Sequence, residues 1–213
     1  MSSSATQVQR TENGLPITNE KADMKMMVFG LLMQFVMGQV TAWPIYFLGA
    51  KSKYDWKIEH MVSNELGLVY LALWLINLAK DLVIWNAMLN RHKGSIMQPN
   101  MYGYKVMVAP NQPAMPYVLM EEEGDVGRAN RGQRGIDNLM EYMPLYLAFF
   151  FAVGYVFPFV MFINACFFCV SRILYAVKYV QSKEARFAGF MPFVICKANT
   201  EGLALLIAIK ALL

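Results

Sequence analysis

The stretch QRGIDNLMEYMPLYLA, residues 133–148, decides the fold class, because three polar side chains precede a long run without charge. At the helical turn of 100° per residue, Arg134, Asn138 and Glu141 lie within roughly 60° of one another. The 30 residues that follow Glu141 contain no Asp, Glu, Lys or Arg. An ionisable side chain in hydrocarbon is costly unless it is paired or binds something. The stretch therefore predicts a polar site built into a membrane-spanning helix.

The composition also favours a membrane protein. Hydrophobic residues make up 57% of the chain and charged residues only 16%, against roughly 25% charged residues in soluble domains. The formal net charge of +4 is spread over the connections between apolar segments, and this argues against nucleic-acid binding. The three cysteines, Cys166, Cys169 and Cys196, lie within apolar runs. Their odd number gives no disulfide framework, and the CxxC has neither a second pair nor a nearby His, so we expect packed or lipid-facing thiols and no metal site.

Five apolar segments are long enough to cross a bilayer, which predicts an all-α integral membrane protein. They cover residues 26–50, 66–89, 134–157, 159–180 and 189–213. Pro44 is expected to bend or end the first segment, and Pro158 marks a tight turn that makes a helical hairpin of the third and fourth.

The polar stretches divide the chain further. The predicted organisation is a polar tail (1–23), an N-terminal transmembrane helix (24–50) and a four-helix domain (66–213) containing one long polar loop (90–133) with four prolines. Such a loop is longer than a simple connector needs to be.

The basic residues predict an orientation. Five crossings place the N-terminus, the long loop and the turn near Lys183 on one side, together with 11 Lys and Arg residues. The opposite side has four, which are Lys51, Lys53, Lys57 and Lys210. Because basic residues concentrate on the inner side of membranes, the long-loop side is expected to face the cytosol, or the matrix of a mitochondrion.

A second polar stripe follows at the end of the fourth segment. Arg172, Tyr175, Tyr179 and Arg186 keep helical register to within about 60°, and they reach the same side of the membrane as the first stripe. Guanidinium groups take carboxylates in a fork and a glutamate takes an ammonium, so the two stripes together suit a small acidic molecule with an amine. The alternative for single residues is that Arg and Tyr near helix ends anchor at the interface.

These motifs resemble the MAPEG family, the membrane proteins of eicosanoid and glutathione metabolism. The pattern QRGxxNxxE, residues 133–141, is similar to the microsomal glutathione transferases of the type-three subgroup, and NxxEYxPLxLA, residues 138–148, is similar to leukotriene C synthases. RILYAVKY, residues 172–179, followed by RFAGF, residues 186–190, continues the resemblance, which covers roughly residues 66–213.

The resemblance implies a left-handed four-helix bundle assembled as a homotrimer, with glutathione bound between neighbouring subunits on the cytosolic side. It implies a glutathione-dependent transferase or peroxidase, in the endoplasmic reticulum or a mitochondrial membrane, that acts on lipophilic electrophiles or lipid hydroperoxides. By motif position, Arg186 is the implied catalytic residue and would hold the glutathione sulfur as thiolate. The implied glutathione-binding residues are Arg134, Asn138, Glu141, Tyr142, Arg172, Tyr175 and Tyr179.

Some positions depart from the family pattern. Ile136 and Asp137 stand where the type-three subgroup usually has His and Gln, so a negative charge is added near an anionic ligand. Lys178 replaces the usual Gly between the two tyrosines.

Two charge pairs, Lys80 with Asp81 and Lys197 with Glu201, stand inside the predicted second and fifth segments. We expect them to pair across the bundle, Lys80 with Glu201 and Asp81 with Lys197. The alternative is local pairing or snorkelling.

Two other functions compete with the enzymatic one. The chain could serve as a noncatalytic MAPEG-fold subunit of a larger membrane complex, for example a mitochondrial one, attached through unrelated subunits by its extra helix and long loop. It could also be a regulatory member that binds lipid in place of glutathione.

Overall fold

A computed structural model of the chain describes residues 24–96, 101–109 and 112–213. The polar tail predicted for residues 1–23 lies outside the described residues. The elements in chain order are α1 (Met24–Leu48), α2 (Lys51–Ser63), α3 (Gly67–Lys93), β1 (Tyr104–Ala109), β2 (Gln112–Met120), α4 (Gly124–Val156), α5 (Pro158–Gln181) and α6 (Phe187–Leu212).

Five of these helices are long and apolar enough to span a membrane: α1, α3, α4, α5 and α6. The prediction of an all-α integral membrane protein with one helix ahead of a four-helix bundle is therefore confirmed. Pro44 lies inside α1, which continues to Leu48, so the proline does not end the helix. Pro158 begins α5, where its missing N–H costs nothing, and the turn between α4 and α5 lies where the sequence predicted it.

The fourth helix is longer than predicted. It begins at Gly124, ten residues before the expected start at residue 134, and it runs for 33 residues. Helix α3 also continues to Lys93 beyond its expected end at residue 89. The predicted loop 90–133 is therefore helical at both ends, because polar helical turns outside the membrane lack the apolar signal that marks a span.

The middle of that loop contains an antiparallel hairpin of β1 and β2, in which Val106 lies opposite Val118. Asn130 on α4 holds the approach to the hairpin: its Oδ1 accepts a hydrogen bond from the Gly103 N–H at 2.8 Å, and its Nδ2 donates to the carbonyls of Gly103 and Glu121 at 2.8 and 2.7 Å. Both strands of a two-stranded sheet are edges, and edges tolerate the prolines that obscured the strand pattern in the sequence.

A short helix, α2, occupies the connection after residue 50 that the sequence indicated only as polar. Tyr54, Ile58 and Met61 recur at helical spacing among charged residues, a pattern typical of helices that lie in the membrane interface. The Tyr46 hydroxyl donates a hydrogen bond to the Asp55 carboxylate and thus ties α2 to the end of α1.

The core lies between α3, α4, α5 and α6. Buried alanines on α3, at positions 72, 79 and 87, let the neighbouring helices approach closely, as small residues do in membrane bundles. Helices α5 and α6 approach closely at Gly189, where an added Cβ would lie 2.2 Å from the backbone nitrogen of Tyr175. Any side chain at Gly189 would therefore push α5 and α6 apart.

A buried polar group joins three helices inside the bundle. The Asn164 Oδ1 accepts hydrogen bonds from the Tyr146 hydroxyl at 3.1 Å and the Thr200 hydroxyl at 3.3 Å, while its Nδ2 donates to the Cys196 carbonyl at 3.0 Å. Tyr146 also stacks on Phe168 with ring centroids 4.0 Å apart. Every polar group of Asn164 thus has a partner, which is what burial of an amide requires.

The predicted cross-bundle ion pairs are wrong. Lys80 lies 3.1 Å from Asp81, and Lys197 lies 2.9 Å from Glu201. Each cation has an anion on its own helix, so both charges of a pair are neutralised without bringing α3 and α6 together.

The connection between α3 and α4 and the turn between α5 and α6 meet at one end of the bundle. Lys183 forms an ion pair with Glu122, and the Arg131 guanidinium donates to the Val180 carbonyl at 3.0 Å. The two polar segments therefore share a side of the membrane, as five crossings require. The assignment of that side to the cytosol or matrix stays a prediction.

Candidate functional site

The first polar stripe lies on the outer face of α4. Arg134 and Glu141 form an ion pair of 3.9 Å, and each side chain is 54% exposed. Asn138, between them, is half-buried and points toward α5. Helical register thus brings the three predicted residues together, with the two charged groups open to the surroundings of the chain.

Arg172 on α5 is the largest side chain buried in the bundle, at 1% exposure. Its Nη2 donates to the Asn138 Oδ1 at 2.9 Å, and its guanidinium lies over the rings of Tyr175 and Phe193, 5.0 and 4.8 Å from their centroids. Within the described residues, Nε and Nη1 of Arg172 have no hydrogen-bond partner. Within the chain, Arg172 thus positions Asn138 and Tyr175, and its contact with a ligand stays a prediction.

The second stripe continues from Arg172 as a stack of rings and guanidinium groups. The rings of Tyr175 and Tyr179 lie 5.4 Å apart, and the guanidinium of Arg186 lies 5.4 Å from the Tyr179 centroid. Arg186 is half-buried at the start of α6, where its carbonyl accepts the first hydrogen bonds of that helix.

Tyr175 is the point at which the two stripes meet. Its ring lies 5.0 Å from the Arg172 guanidinium and 5.4 Å from the ring of Tyr179, over which Arg186 lies. The guanidinium groups of this stripe outnumber its carboxylates, since Glu141 pairs with Arg134 on the neighbouring stripe. Such an excess of positive charge suits an anion, and low-dielectric surroundings strengthen the attraction.

Tyr142, the remaining predicted residue, faces α6. Its ring lies 4.9 Å from that of Phe193, and with Glu141 it lines a cavity of about 270 Å³ between α4 and α6. The Lys197–Glu201 pair lies at the same cavity. A larger cavity of about 610 Å³ between α5 and α6, beside Asn164, contains none of the predicted residues in its lining.

The structure also identifies site residues that the sequence did not indicate. The Tyr102 hydroxyl donates to the Asp137 carboxylate, which accepts a second hydrogen bond from the Gln133 Nε2 at 3.2 Å. Burial and the bond to Asp137 raise the pKa of Tyr102, which also interacts with Arg134. Asp137, the negative charge that departs from the family pattern, thus anchors the connection between α3 and α4 beside Arg134. Tyr102 and Asp137 are 35 residues apart, and no local sequence signal relates them.

Cys166, Cys169 and Cys196 are free thiols, half-buried or buried in α5 and α6. Among the described residues there is no group of three His, Cys, Asp or Glu side chains that could hold a metal ion.

Comparison with known proteins gives one finding. The model of the MAPEG family matches residues 66–206, which is about two thirds of the chain and includes every predicted site residue. No individual curated protein and no solved structure gave a significant match.

Proposed function

The chain belongs to the MAPEG family, and on that premise we propose that it is a membrane-bound, glutathione-dependent transferase or peroxidase. Its second substrate would be a lipophilic electrophile or a lipid hydroperoxide that arrives from the bilayer. The observation that carries the proposal is the stack that runs from Arg172 through Tyr175 and Tyr179 to Arg186, beside the exposed Arg134–Glu141 pair.

The chemistry of the cluster fits glutathione. The tripeptide has two carboxylates, one ammonium and one thiol. In this proposal Arg134 binds a carboxylate through charge-assisted hydrogen bonds, Glu141 binds the ammonium, and Asn138, Tyr142, Tyr175 and Tyr179 orient the peptide. Arg134 and Glu141 are exposed enough to exchange their mutual 3.9 Å contact for a ligand.

Arg186 is the proposed catalytic residue. A free cysteine thiol has a pKa near 8.5, and a guanidinium beside the sulfur stabilises the thiolate. In the transferase reaction the thiol proton leaves to solvent and the sulfur lone pair forms a bond to the electrophilic carbon. The leaving group departs with the bonding electrons, or an opened epoxide oxygen takes up a proton. In the peroxidase reaction, two glutathione molecules are oxidised to the disulfide while the hydroperoxide is reduced to an alcohol and water.

The proposal includes a homotrimer, the assembly that MAPEG proteins generally form. The exposed side chains of Arg134 and Glu141 support this, because one chain leaves them open and a neighbouring copy would enclose a ligand there. We give Arg172 a positioning role in this scheme, because its side chain is buried and its Nη2 donates to Asn138.

The decisive experiment is glutathione titration of the purified full chain in lipid nanodiscs, followed by thiolate absorbance in the ultraviolet and, in parallel, by calorimetry. The wild type is expected to give a thiolate signal at neutral pH. Arg186→Ala is expected to lose that signal and retain glutathione binding to within a few-fold, and Arg186→Lys to recover part of it. Absence of both heat and thiolate signal in the wild type would reject the enzymatic proposal.

One observation favours a second candidate, the accessory subunit of a larger membrane complex. Helix α1 lies outside residues 66–206, and none of its membrane window is buried within the chain. An isolated homotrimeric enzyme has no evident need for such a helix. The nanodisc titration separates the two functions, because an accessory subunit would give neither signal.

A further inference from the structure

Helices α1 and α3 enclose a polar groove at membrane depth. It belongs neither to the arginine cluster (Arg134, Arg172 and Arg186) nor to the four-helix core. The α1–α3 groove has a volume of about 270 Å³, and its lining includes Gln34, Gly38, Gln39, Trp74, Asn77 and Asp81. Contact between the helices is sparse: the Phe35 and Trp74 rings are 6.3 Å apart, and Gly30 faces Trp85.

Two polar residues of α3, Asn77 and Asp81, form the floor of the α1–α3 groove, and Lys80 lies beside them. Lys80 lies 3.1 Å from Asp81 and donates to the Asn77 Oδ1 at 2.8 Å. The side chain of Lys80 is 34% exposed, and Asn77 is exposed as well. These residues lie at the middle of α3, which places them near the centre of the bilayer.

Lipid tails are a poor cover for these groups. They offer no hydrogen bonds, and ionisable or amide side chains at bilayer depth normally face protein or water. On α1, Gln34 is exposed and has no hydrogen-bond partner within the described residues. The groove therefore calls for an occupant that forms hydrogen bonds.

We propose that the α1–α3 groove is the docking site for a transmembrane helix of a second, different protein, one that carries an uncharged hydrogen-bonding residue such as Asn or Gln at mid-depth. The Lys80–Asp81 pair is neutral as a whole, so an uncharged amide complements it better than an added charge does. A second copy of this chain would instead bring another Lys80–Asp81 pair against the first and leave two sets of amides competing for the same partners.

The shape of α1 supports a helix as occupant. A Cβ added at Gly38 would meet no atom within 4 Å, so the wall of the groove is open there. Glycines on the surface of a membrane helix let a partner backbone approach closely, and interhelical hydrogen bonds then hold the pair. The inference is independent of the proposed glutathione chemistry, since the residues of the groove lie outside the arginine cluster.

The test uses the full chain in proteoliposomes with a donor fluorophore, and two synthetic polyleucine transmembrane helices with an acceptor. One helix has a single central Asn and the other has none. Energy transfer is expected to show the Asn helix binding about fivefold to tenfold more tightly than the all-Leu helix. Asn77→Leu and Gln34→Leu, on opposite walls of the groove, are each expected to remove most of that preference.

The matched control is Val40→Leu, which changes an exposed residue on the opposite face of α1 and should leave the preference intact. Equal binding of the two helices would mean that only lipid covers the groove, and it would overturn the proposal. The proposal would also be overturned if the unlabelled full chain displaced the labelled Asn helix at a lower concentration than the unlabelled Asn helix does. The groove would then be an interface between copies of this chain.

Discussion

The buried guanidinium of Arg172 donates a hydrogen bond to the Oδ1 of Asn138 at 2.9 Å, and this bond links α5 to the polar stripe of α4. Arg172 is the largest fully buried side chain of the bundle, and this bond gives its Nη2 a partner, whereas Nε and Nη1 have none within the described residues. Asn138 thus has a structural task in addition to its proposed contact with glutathione.

Asn138→Ala is expected to destabilise the protein by about 1.5 to 3 kcal/mol, because loss of the amide leaves a buried charged group without its acceptor. Denaturant unfolding in detergent micelles would measure the change. Asn138→Asp keeps an acceptor oxygen at the same place and should restore most of the stability. Asn199→Ala, which removes an exposed amide on α6, serves as the control. Equal stability of Asn138→Ala and Asn199→Ala would contradict the role given to this bond.

Arg134→Ala is expected to weaken glutathione binding by about 1.5 to 3 kcal/mol if the guanidinium holds a carboxylate through charged hydrogen bonds. Calorimetry on the purified protein gives the affinity directly. Arg128→Ala is the matched control on the same helix, since Arg128 is exposed and pairs with Asp125 outside the cluster. An unchanged affinity for Arg134→Ala would remove Arg134 from the proposed site.

Gly189→Ala tests the close approach of α5 and α6 behind Tyr175. The new methyl group would lie 2.2 Å from the Tyr175 nitrogen and 2.4 Å from the Ser171 carbonyl oxygen, so the helices must move apart. Overpacking of this kind costs about 1 to 3 kcal/mol. Gly202→Ala, in the same helix with nothing within 4 Å, should be neutral or slightly stabilising. The unfolding free energies of the two variants check the difference, and a neutral Gly189→Ala would show that this contact is not tight.

Tyr102→Phe is expected to loosen the attachment of the long connection to α4, because it removes the hydrogen bond to Asp137. Amide hydrogen exchange over residues 101–109 should increase, whereas Tyr104→Phe, at an exposed ring, should leave it unchanged. Unaltered exchange in Tyr102→Phe would show that Asn130 alone holds this segment.

The same contact predicts a dependence on pH. The pKa of Tyr102 is raised in the folded protein, first by burial and then by Asp137. The folded state therefore keeps this proton more tightly than the unfolded state does. The stabilisation is complete below the ordinary tyrosine pKa of about 10 and is lost as the pH rises above it. Hydrogen exchange of the wild type should thus approach that of Tyr102→Phe in alkaline solution. A constant difference between the two proteins over this range would contradict the assignment.

The membrane spans and the polar stripes could be predicted from the sequence because both depend on local periodicity. Apolar segments of spanning length identified the five spanning helices, and helical register brought Arg134 next to Glu141 and Tyr175 next to Tyr179. The burial of Arg172 could not be predicted, since it depends on Phe193 from another helix. The three-helix contacts of Asn164 and the bond from Tyr102 to Asp137 likewise join residues far apart in the chain.

Other differences arise from competition between local and distant partners. Lys80 and Lys197 each pair with an anion on their own helix, Asp81 and Glu201. The presence of these four charges in the sequence therefore did not show which helices face each other. The hairpin was missed because prolines interrupt its second strand, and α2 was missed because its few apolar residues are mixed with charges.

The length of α4 has a mechanical consequence. Its 33 residues span about 50 Å, whereas the hydrocarbon core is about 30 Å thick, so several turns stand in water. Asn130 clamps the hairpin to those turns, and Arg134 follows one turn further along the same rigid rod. A force on the hairpin would tilt the helix and displace Arg134 and Glu141 together. Binding of a partner to the hairpin in the aqueous phase would therefore move these two side chains without rearrangement of a loop.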